Sequence, residues 1–480
     1  MSRGAIHCLP SDARLQRAEQ RAPWEHLRDS VLRQHWPVGS DLLLCVDAPR
    51  ASAEALLDGP SPWSLHTQSQ ASVLWASGDE TVVGLGRFAE KAASGRERFA
   101  ILRDWGKDVL ARLVVGPSTA QTWLPRVFCG FAFSDQEERC PAWRPFGEAY
   151  GLVPRFSYVQ RPVGAMLCML IADRERHHLD DCLAELRGLH EHLMRLPAPS
   201  LEGGLAPDQI HIADQAHWNA LVDTALSAIH AGALGKVVAA RCARLTFPRP
   251  LSRARTMAAL AASHPDSTRF VFALPSSSFV GATPERLLRK RALHIDTEAL
   301  AGTFSHPTHE APASARGRFT ADGTKERREH LPVLDAIIET LGPLCSELQY
   351  AAQPELRALK HVLHLRTAIE GNLKQPTHIL DLVERLHPTP AVGGVPAQAA
   401  MQWIVANEGF SRGWYAGPLG WFDRDGYGQF DVVLRSGILN GREALLFAGA
   451  GIVKDSHPER EFAETELKLL ALQSALRTLD

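Results

Sequence analysis

Two spacings of apolar residues predict a sheet-rich N-terminal part followed by a region of mixed helices and strands. The apolar runs of the first part, such as SVLWAS, TVVGLGRF and RVFCGFAFS, are short and separated by turn residues, which is typical of antiparallel strands. Apolar residues recur at helical spacing from Leu15 to about His35 and from Asp180 to Leu196, where we predict helices.

A change in composition marks a boundary near residue 200. The stretch PAPSLEGGLAPDQ, residues 197–209, is rich in Pro and Gly, and such stretches usually connect folded parts of a chain. We therefore predict an N-terminal part of the fold over residues 1–200 and a second region, which carries the chemistry, over residues 210–480.

Beyond this linker the pattern predicts alternating helices and strands. Asp214 should cap a helix that runs to about Ala233, and the apolar strand KVVAARCARLTF then opens on Lys236. The strands RFVFAL and SFVGA follow, and the second leads through a Pro turn into Glu285. Near the end, WYAGPLGWF, FDVVLRSG and ALLFAGAG are predicted to be three strands at hairpin-like spacing.

The stretch KERREHLPVLDAIIETL is predicted to be helical over most of its length, with Glu326, Glu329 and Val333 on one face. Proline removes a backbone donor and is tolerated only near the first turn of a helix. Pro332 therefore predicts that the helix starts late and leaves Glu326 in the preceding loop.

The chain closes on a Gly449-x-Gly451 turn and a helix predicted from Pro458 to about Arg477. At about 100° per residue, Glu461, Glu464 and Lys468 share one narrow sector of this helix. The same sector borders an apolar face, formed by Phe462, Thr465, Leu469, Leu472 and Leu476. Charges beside a core are costly unless they bind something, although a Glu–Lys pair at i,i+4 is also common on ordinary helices.

Composition limits the possible functions. The chain has 480 residues, of which 45% are hydrophobic and 22% charged, as expected for a soluble globular protein of one to three domains. Its formal net charge of −2 gives no general attraction to nucleic acid or anionic membranes. The eight cysteines are scattered, no apolar run is long enough to span a membrane, and the N-terminus lacks the apolar core of a signal peptide. We therefore expect a cytoplasmic protein.

Charged residues at the ends and faces of apolar elements suggest a site. Two predicted helices each turn two carboxylates towards the core, and four carboxylates without four nearby cations imply a divalent ion. Oxygen ligands alone favour Mg²⁺ over Zn²⁺. A buried Lys236 would have a lowered pKa and a buried Glu285 a raised one, as a base and an acid acting near neutral pH require. By residue type alone, however, each is more often an ordinary surface or turn residue.

The order of short motifs resembles the chorismate-utilising enzymes, and among them most closely the isochorismate synthases. The motifs are KVVAAR, FVGATPERLL, ALAGT, KERREH, HLRT, HPTPAVGG, RGWYAGPLGW, VVLRSG and GAGIV, followed by PERE, ET and K. They cover the chain from about Asp214 to the C-terminus, whereas the N-terminal part matches chiefly through CGFAF. The resemblance implies an α+β fold with two packed antiparallel sheets flanked by helices.

The resemblance also implies a reaction, the addition of water at C2 of chorismate with loss of the C4 hydroxyl to give isochorismate. Lys236 matches the lysine that activates the water, and Glu285 matches the acid that protonates the leaving hydroxyl. Glu329 and Glu464 match two Mg²⁺ ligands, and the acidic neighbours that hold metal-bound waters are matched by Glu326 and Glu461. The residues that match substrate-binding positions are Gly302, Thr303, His364, Tyr415, Arg435, Gly449 and Lys468.

A few positions distinguish members of the family. Ala301 stands where aminodeoxychorismate synthases carry a nucleophilic lysine, and anthranilate synthases lack the lysine supplied here by Lys236. Salicylate synthases tend to have Thr at the position of Ala391, which argues against built-in pyruvate elimination. The segment that begins at Phe304 departs from the family pattern, so the loop there is expected to close differently.

Several alternatives stay open at this point. A salicylate synthase and a non-catalytic paralogue that binds chorismate both fit the motifs. The motifs do not distinguish whether the product is used in siderophore, salicylate or menaquinone biosynthesis. We expect a monomer, with a homodimer as the alternative, and chorismate as the partner rather than nucleic acid or membrane.

Other motifs carry less weight. Ser411 lies in a formal G-x-S-x-G, but a helix precedes it and a strand follows, whereas the hydrolase motif needs the reverse. The glycines at 449 and 451 lack the third glycine of a dinucleotide site. His361 and His364 would point to opposite faces of a strand and so are not a predicted metal pair.

Overall fold

Two large β-sheets form the framework of the protein. The computed structural model describes residues 24–34, 36–58, 71–118, 123–135, 140–201, 205–212, 214–305, 325–358 and 362–477. Within these residues no helix is both long and apolar enough to cross a membrane.

The first sheet contains thirteen strands among the described residues. Neighbouring strands are antiparallel except Asp41–Ala48 and Leu113–Ser118, which pair in parallel at one edge. In spatial order the strands are Gln209–Ile212, Lys236–Thr246, Glu443–Ile452, Ser436–Asn440, Ser277–Thr283, Thr268–Leu274, Ser72–Ser77, Glu80–Leu85, Phe156–Arg161, Gly164–Ile171, Asp41–Ala48 and Leu113–Ser118, and Gly394–Val395 also pairs with Lys236–Thr246.

The second sheet contains ten strands in the same part of the chain, all in antiparallel pairs. In spatial order they are Cys345–Tyr350, Val362–Leu373, His294–Ser305, Arg286–Arg291, Gly428–Val432, Pro418–Phe422, Val127–Phe131, Ala149–Val153 and Ala89–Ala93, and Glu355–Ala358 also pairs with Val362–Leu373. Both sheets therefore follow the predicted α+β arrangement.

Strands from both parts of the sequence are neighbours in both sheets. Ser72–Ser77 pairs with Thr268–Leu274 in the first sheet, and Val127–Phe131 pairs with Pro418–Phe422 in the second. Each sheet is thus built from strands of both the N-terminal part and the C-terminal region. The division of the sequence near residue 200 remains a prediction.

Helices cover the sheets. The α-helices are residues 24–33, Arg98–Ala111, Leu179–Leu193, Gln215–His230, Arg253–Ser263, Lys325–Leu341, Ile379–Leu386, Ala397–Asn407 and Pro458–Arg477. Asp214 caps its helix as predicted, since its Oδ1 accepts a hydrogen bond from the His217 backbone at 2.7 Å. Leu186, Met257 and Leu472, from three of these helices, pack in one cluster with residues of the first sheet.

Aromatic side chains fill the space between the two sheets. Tyr150 of the second sheet contacts Phe272 of the first edge to face, with ring centroids 5.9 Å apart. Trp414, which is fully buried, packs against Phe272 at 5.2 Å. Such contacts add to the stabilisation from apolar burial and fix the sheets relative to each other.

Three predictions about local structure are wrong. Gly449 and Gly451 do not form a turn, because the strand Glu443–Ile452 continues through both of them. The run FDVVLRSG does not form one strand. Its first part belongs to the strand Gly428–Val432 of the second sheet, and its last part begins the strand Ser436–Asn440 of the first sheet. Arg435 has a φ of 50° at this crossing, in the left-handed region that bends the chain between the sheets. The helix with Pro332 begins at Lys325, so Glu326 is helical. Its buried residues, which include Val333 and Leu341, hold the helix despite the donor that Pro332 lacks.

Candidate active site

A cavity with about 720 Å³ of empty space, part of it open solvent, lies between the two sheets, and most of the predicted site residues line it. Ten of them line it: Lys236, Glu285, Gly302, Glu329, His364, Tyr415, Arg435, Gly449, Glu464 and Lys468. Thr303 is described only by its backbone, which pairs with His364 in the second sheet. The unusual loop after Ser305, residues 306–324, lies outside the described residues.

Lys236 is held inside the protein at the start of its strand. Its side chain is 2% exposed, and Nζ donates a hydrogen bond to the Glu329 backbone carbonyl at 3.0 Å. Burial lowers the pKa of Lys236, and the Glu329 and Glu285 carboxylates offset that effect only in part. The result is an amine that is easier to deprotonate than an exposed lysine, which suits a general base.

Glu285 follows the strand Ser277–Thr283 of the first sheet and precedes Arg286–Arg291 of the second. Backbone hydrogen bonds fix it, because its carbonyl accepts from the Val432 N–H at 3.0 Å. Its side chain is 5% exposed. Burial, and then the Glu298 carboxylate, raises the pKa of Glu285 to about 8, so that it holds a proton at neutral pH.

Three acidic side chains from two helices meet at one end of the cavity. Burial raises the pKa of Glu329 to about 7, with Glu464 and Glu461 adding repulsion. The Lys325 ammonium lies 2.5 Å from Glu461 Oε1 and 3.4 Å from Glu329 Oε1, while Lys468 contacts Glu464 Oε1 at 2.6 Å. The two lysines thus balance part of the acidic charge.

These carboxylates offer the oxygen ligands that Mg²⁺ prefers. Among the described residues, however, no three His, Cys, Asp or Glu side chains are grouped so that they could hold a metal as they stand. Lys325 bridges Glu329 and Glu461 instead. The donor chemistry fits Mg²⁺, and binding of the ion would require Lys325 to withdraw.

Two glycines make room for the acidic residues. Gly302 has a φ of 80°, and a Cβ there would lie 2.7 Å from the Glu326 carbonyl oxygen. A Cβ at Gly451 would lie 3.0 Å from Glu329 Oε2. Glu326 itself does not line the cavity, and Glu461 lies behind it, 1% exposed.

Cationic and polar groups also line the cavity, and Lys468 connects them to the acidic residues through Glu464. Arg435 Nη2 donates to His364 Nε2 at 3.4 Å. Burial, and then the Arg435 charge, lowers the pKa of His364 well below its usual value, so the ring is neutral and can accept. Lys468 donates to the Gly449 carbonyl at 2.8 Å, and Tyr415 stacks on Phe447 with centroids 5.2 Å apart. These groups suit a carboxylate.

Arg412 is a cavity residue that the sequence analysis missed. It is 0% exposed, and its guanidinium donates to the Val238 carbonyl at 2.7 Å and to the Val392 carbonyl at 2.8 Å. It also pairs with Glu408, which in turn accepts from the Ala240 N–H at 2.8 Å. The motif RGWYAGPLGW begins at Arg412, and a glutamate lies four residues before it, so the motif and the i,i+4 spacing were the two signals for this pair.

Replacing Arg412 with methionine should lower the free energy of unfolding by about 3–5 kcal/mol, because the Glu408 carboxylate would stay buried without its cation. The denaturant midpoint measures the change. Arg244→Met is the control, since Arg244 pairs with Glu443 at a surface site where both side chains are 53% exposed. Equal midpoints for the two variants would show that the buried pair contributes no more to the free energy of unfolding than the surface pair.

A family model described as chorismate binding enzyme matches residues 62–477. The chain belongs to the chorismate binding enzyme family. The resemblance predicted from the motifs is confirmed. Its extent was predicted too short, because the match begins well before Asp214.

Individual proteins that are similar to this chain carry the name isochorismate synthase. The salicylate biosynthesis isochorismate synthase of Pseudomonas aeruginosa is 35% identical over 414 residues, which cover 84% of each chain. Isochorismate synthase MenF of Bacillus subtilis is 36% identical over 357 residues, 73% of this chain and 74% of the relative. The structure of MenF from Escherichia coli superposes with a TM-score of 0.75 and 27% identity, over 96% of this chain and 100% of that one. The predicted fold class is confirmed.

Proposed function

We propose that this member of the chorismate binding enzyme family is an isochorismate synthase, an isomerase that converts chorismate to isochorismate. The observation that carries the proposal is that a buried lysine with a lowered pKa and a buried glutamic acid with a raised pKa, Lys236 and Glu285, line one cavity. Relatives that share about a third of its residues are named isochorismate synthases, which supports the same reaction.

The two residues divide the work of the displacement. Lys236, with a free amine, would take a proton from the water that attacks C2 of the ring. Glu285 would give a proton to the C4 hydroxyl as it leaves, so that hydroxide is not expelled. As the water bonds to C2, the two double bonds C1=C2 and C5=C6 of the ring move to C6=C1 and C4=C5, and the C4–O bond breaks. One water is added and one is released, so the composition of the molecule is unchanged.

Mg²⁺, when bound by Glu329 and Glu464, would act as a Lewis acid on the ring carboxylate and orient it. Glu326 and Glu461, on the same two helices as these ligands, would hold the waters of the ion. Arg435 and Tyr415, with the Gly449 backbone, would hold the enolpyruvyl carboxylate, and Arg435 can do so in a bidentate manner. Gly302, Thr303, His364 and Lys468 complete the proposed substrate contacts.

Incubation of the purified protein with chorismate and Mg²⁺, followed by chromatographic separation of the products, tests the proposal. Isochorismate is the expected product. Salicylate together with pyruvate would assign the lyase variant, and unchanged chorismate would indicate a non-catalytic binding protein.

Glu464→Gln should raise the Mg²⁺ concentration needed for half-maximal rate by about tenfold or more, because a neutral amide replaces a charged ligand. A metal titration of the rate at saturating chorismate measures this. Glu459→Gln is the control, since Glu459 is exposed on the first turn of the same helix. An unchanged titration for Glu464→Gln would remove Glu464 from the ligands.

We further propose that the enzyme acts in the cytoplasm. The seven cysteines in the described part of the chain are all free thiols, which is usual where the surroundings are reducing. A monomer remains the expected state, and light scattering measures it.

A further inference from the structure

A second cavity, with about 820 Å³ of empty space, shares no lining residue with the catalytic one. It lies at the far end of the strand Arg286–Arg291, which starts beside Glu285. Lys290 is five residues further along the chain than Glu285, which places it about 16 Å away in extended backbone. The two cavities are therefore separate sites on one strand.

Lys290 is a buried cation with few nearby groups that balance its charge. Its side chain is 4% exposed, and Nζ makes one long hydrogen bond, to the Gly426 carbonyl at 3.4 Å. The Tyr427 ring lies 4.8 Å from Nζ. Within the described residues no carboxylate comes within ion-pair distance of this ammonium, although Asp423 and Asp425 exert a longer-range attraction. Two of the three N–H donors of Lys290 thus have no close acceptor, which is costly at a buried position.

His378 supplies another unused donor. Its Nδ1 accepts a hydrogen bond from the Leu380 N–H at 3.2 Å, so the proton of the neutral ring is on Nε2. Burial, and then the charge of Lys107, lowers the pKa of His378 to about 4, so the ring is neutral at pH 7. His378 is 8% exposed, and Nε2 is buried without a hydrogen-bond partner among the described residues. A Cβ at Gly426 would lie 2.7 Å from His378 Cδ2, so the glycine leaves room for the ring.

Two further cations line the same cavity. Lys107 and Arg424 are both exposed and contribute charge at its mouth. Of the described lining residues, Asp425 alone carries a carboxylate. The cavity is therefore lined by three cationic side chains and one neutral histidine against a single acid, and an acceptor-rich anion would match this surplus of positive charge and donors.

We propose that this cavity binds a small oxyanion, a phosphate or carboxylate group of a metabolite, between Lys290, His378, Lys107 and Arg424. Phosphate and carboxylate oxygens accept several charge-assisted hydrogen bonds at once, and both are negative at pH 7. The bound anion would accept hydrogen bonds from the Lys290 ammonium, which has one long hydrogen bond within the described residues. It would also stabilise the folded chain in proportion to its occupancy.

Thermal unfolding of the full-length protein tests the proposal. The melting temperature is followed in increasing sodium phosphate, with sodium chloride adjusted to keep the ionic strength constant, and in a parallel series with citrate. A saturable rise in phosphate alone assigns a phosphate group as the ligand, a rise in citrate alone assigns a carboxylate, and a rise in both assigns oxyanions generally.

Three variants locate the binding. Lys290→Met should weaken phosphate or citrate binding roughly tenfold to a hundredfold, as expected for the loss of a hydrogen bond to a charged group. In chloride it should fold and turn over chorismate like the wild type. Lys107→Met, a change at an exposed position, should weaken binding as well. Lys91→Met, on an exposed strand elsewhere, is the control, and its melting temperature should rise with the anion as much as that of the wild type.

The catalytic cavity also carries cations, so an anion could stabilise the protein from there. In that case the melting temperatures of Lys290→Met and Lys107→Met would rise with the anion as much as that of the wild type, and the proposal would be overturned. A wild-type melting temperature that does not respond to either anion would overturn it too. Neither result would bear on isochorismate formation, which the product assay tests separately.

Discussion

Lys236→Met should lower kcat by about 10²- to 10⁴-fold, the usual contribution of a positioned general base. Methionine has a similar length and no amine, so the water in the cavity would lose its proton acceptor. Lys236 is 2% exposed, and within the described residues its Nζ donates a hydrogen bond to a backbone carbonyl and to no side chain, so the variant should keep the fold. Chorismate should still bind, because Arg435 and Tyr415 would be unchanged.

Single-turnover kinetics and calorimetric titration with chorismate separate the two effects. We expect a large fall in kcat with a dissociation constant within a few-fold of the wild type. Lys91→Met, on an exposed strand, is the matched control and should behave as wild type. If Lys236→Met retained a near-normal kcat, the base would have to be another group.

Glu285→Gln should cause a loss of similar size, about 10²- to 10⁴-fold in kcat, because an amide cannot protonate the leaving hydroxyl. The pH profile adds a more specific expectation. Glu285 works as an acid only while protonated, and its pKa is raised to about 8, chiefly by burial. The wild-type rate should therefore fall as the pH rises through about 8, and the residual rate of Glu285→Gln should lack that fall.

The low-pH side of the profile belongs to Lys236, whose pKa burial lowers and which must be unprotonated to act. That limb should persist in Glu285→Gln. An exposed acid, Glu347→Gln, serves as the control for the substitution itself. A wild-type alkaline limb that survived in Glu285→Gln would assign the acid to a different residue.

Much of the site could be predicted from the sequence because its residues sit on regular elements. Lys236 opens an apolar strand, and Glu464 and Lys468 lie one helical turn apart, so periodicity alone brought them near a core face. Periodicity could not say that the two helices face the same cavity. That step needed the order of motifs, and the family match confirms the fold in which they meet.

The failures have physical causes. The apolar run before Arg435 has the alternation of one strand, and the crossing between sheets depends on a left-handed residue that is not a glycine. Pro332 is tolerated inside a helix because buried neighbours hold the helix in place, which local propensity does not register. The Arg412–Glu408 pair has the i,i+4 spacing of many surface pairs, and that spacing does not show that the pair is buried. The residues that line the second cavity come from distant segments, so no short stretch reveals it.

The fold explains why Lys236 and Glu285, the proposed base and acid, line the same cavity. Lys236 starts a strand of the first sheet, and Glu285 lies where the chain passes from the first sheet to the second. Both are thereby fixed by backbone pairing rather than by mobile loops. Their opposite pKa shifts follow from the same cause, burial between two sheets.

The most direct test of the proposed displacement is isotopic. Chorismate is converted in water enriched in ¹⁸O, and the isochorismate is analysed by mass spectrometry with fragmentation to locate the label. If Lys236 activates a solvent water while Glu285 releases the C4 hydroxyl, each product molecule carries one ¹⁸O, at the C2 hydroxyl. Unlabelled isochorismate would mean that the hydroxyl moves within the substrate, and the proposed roles of both residues would be contradicted.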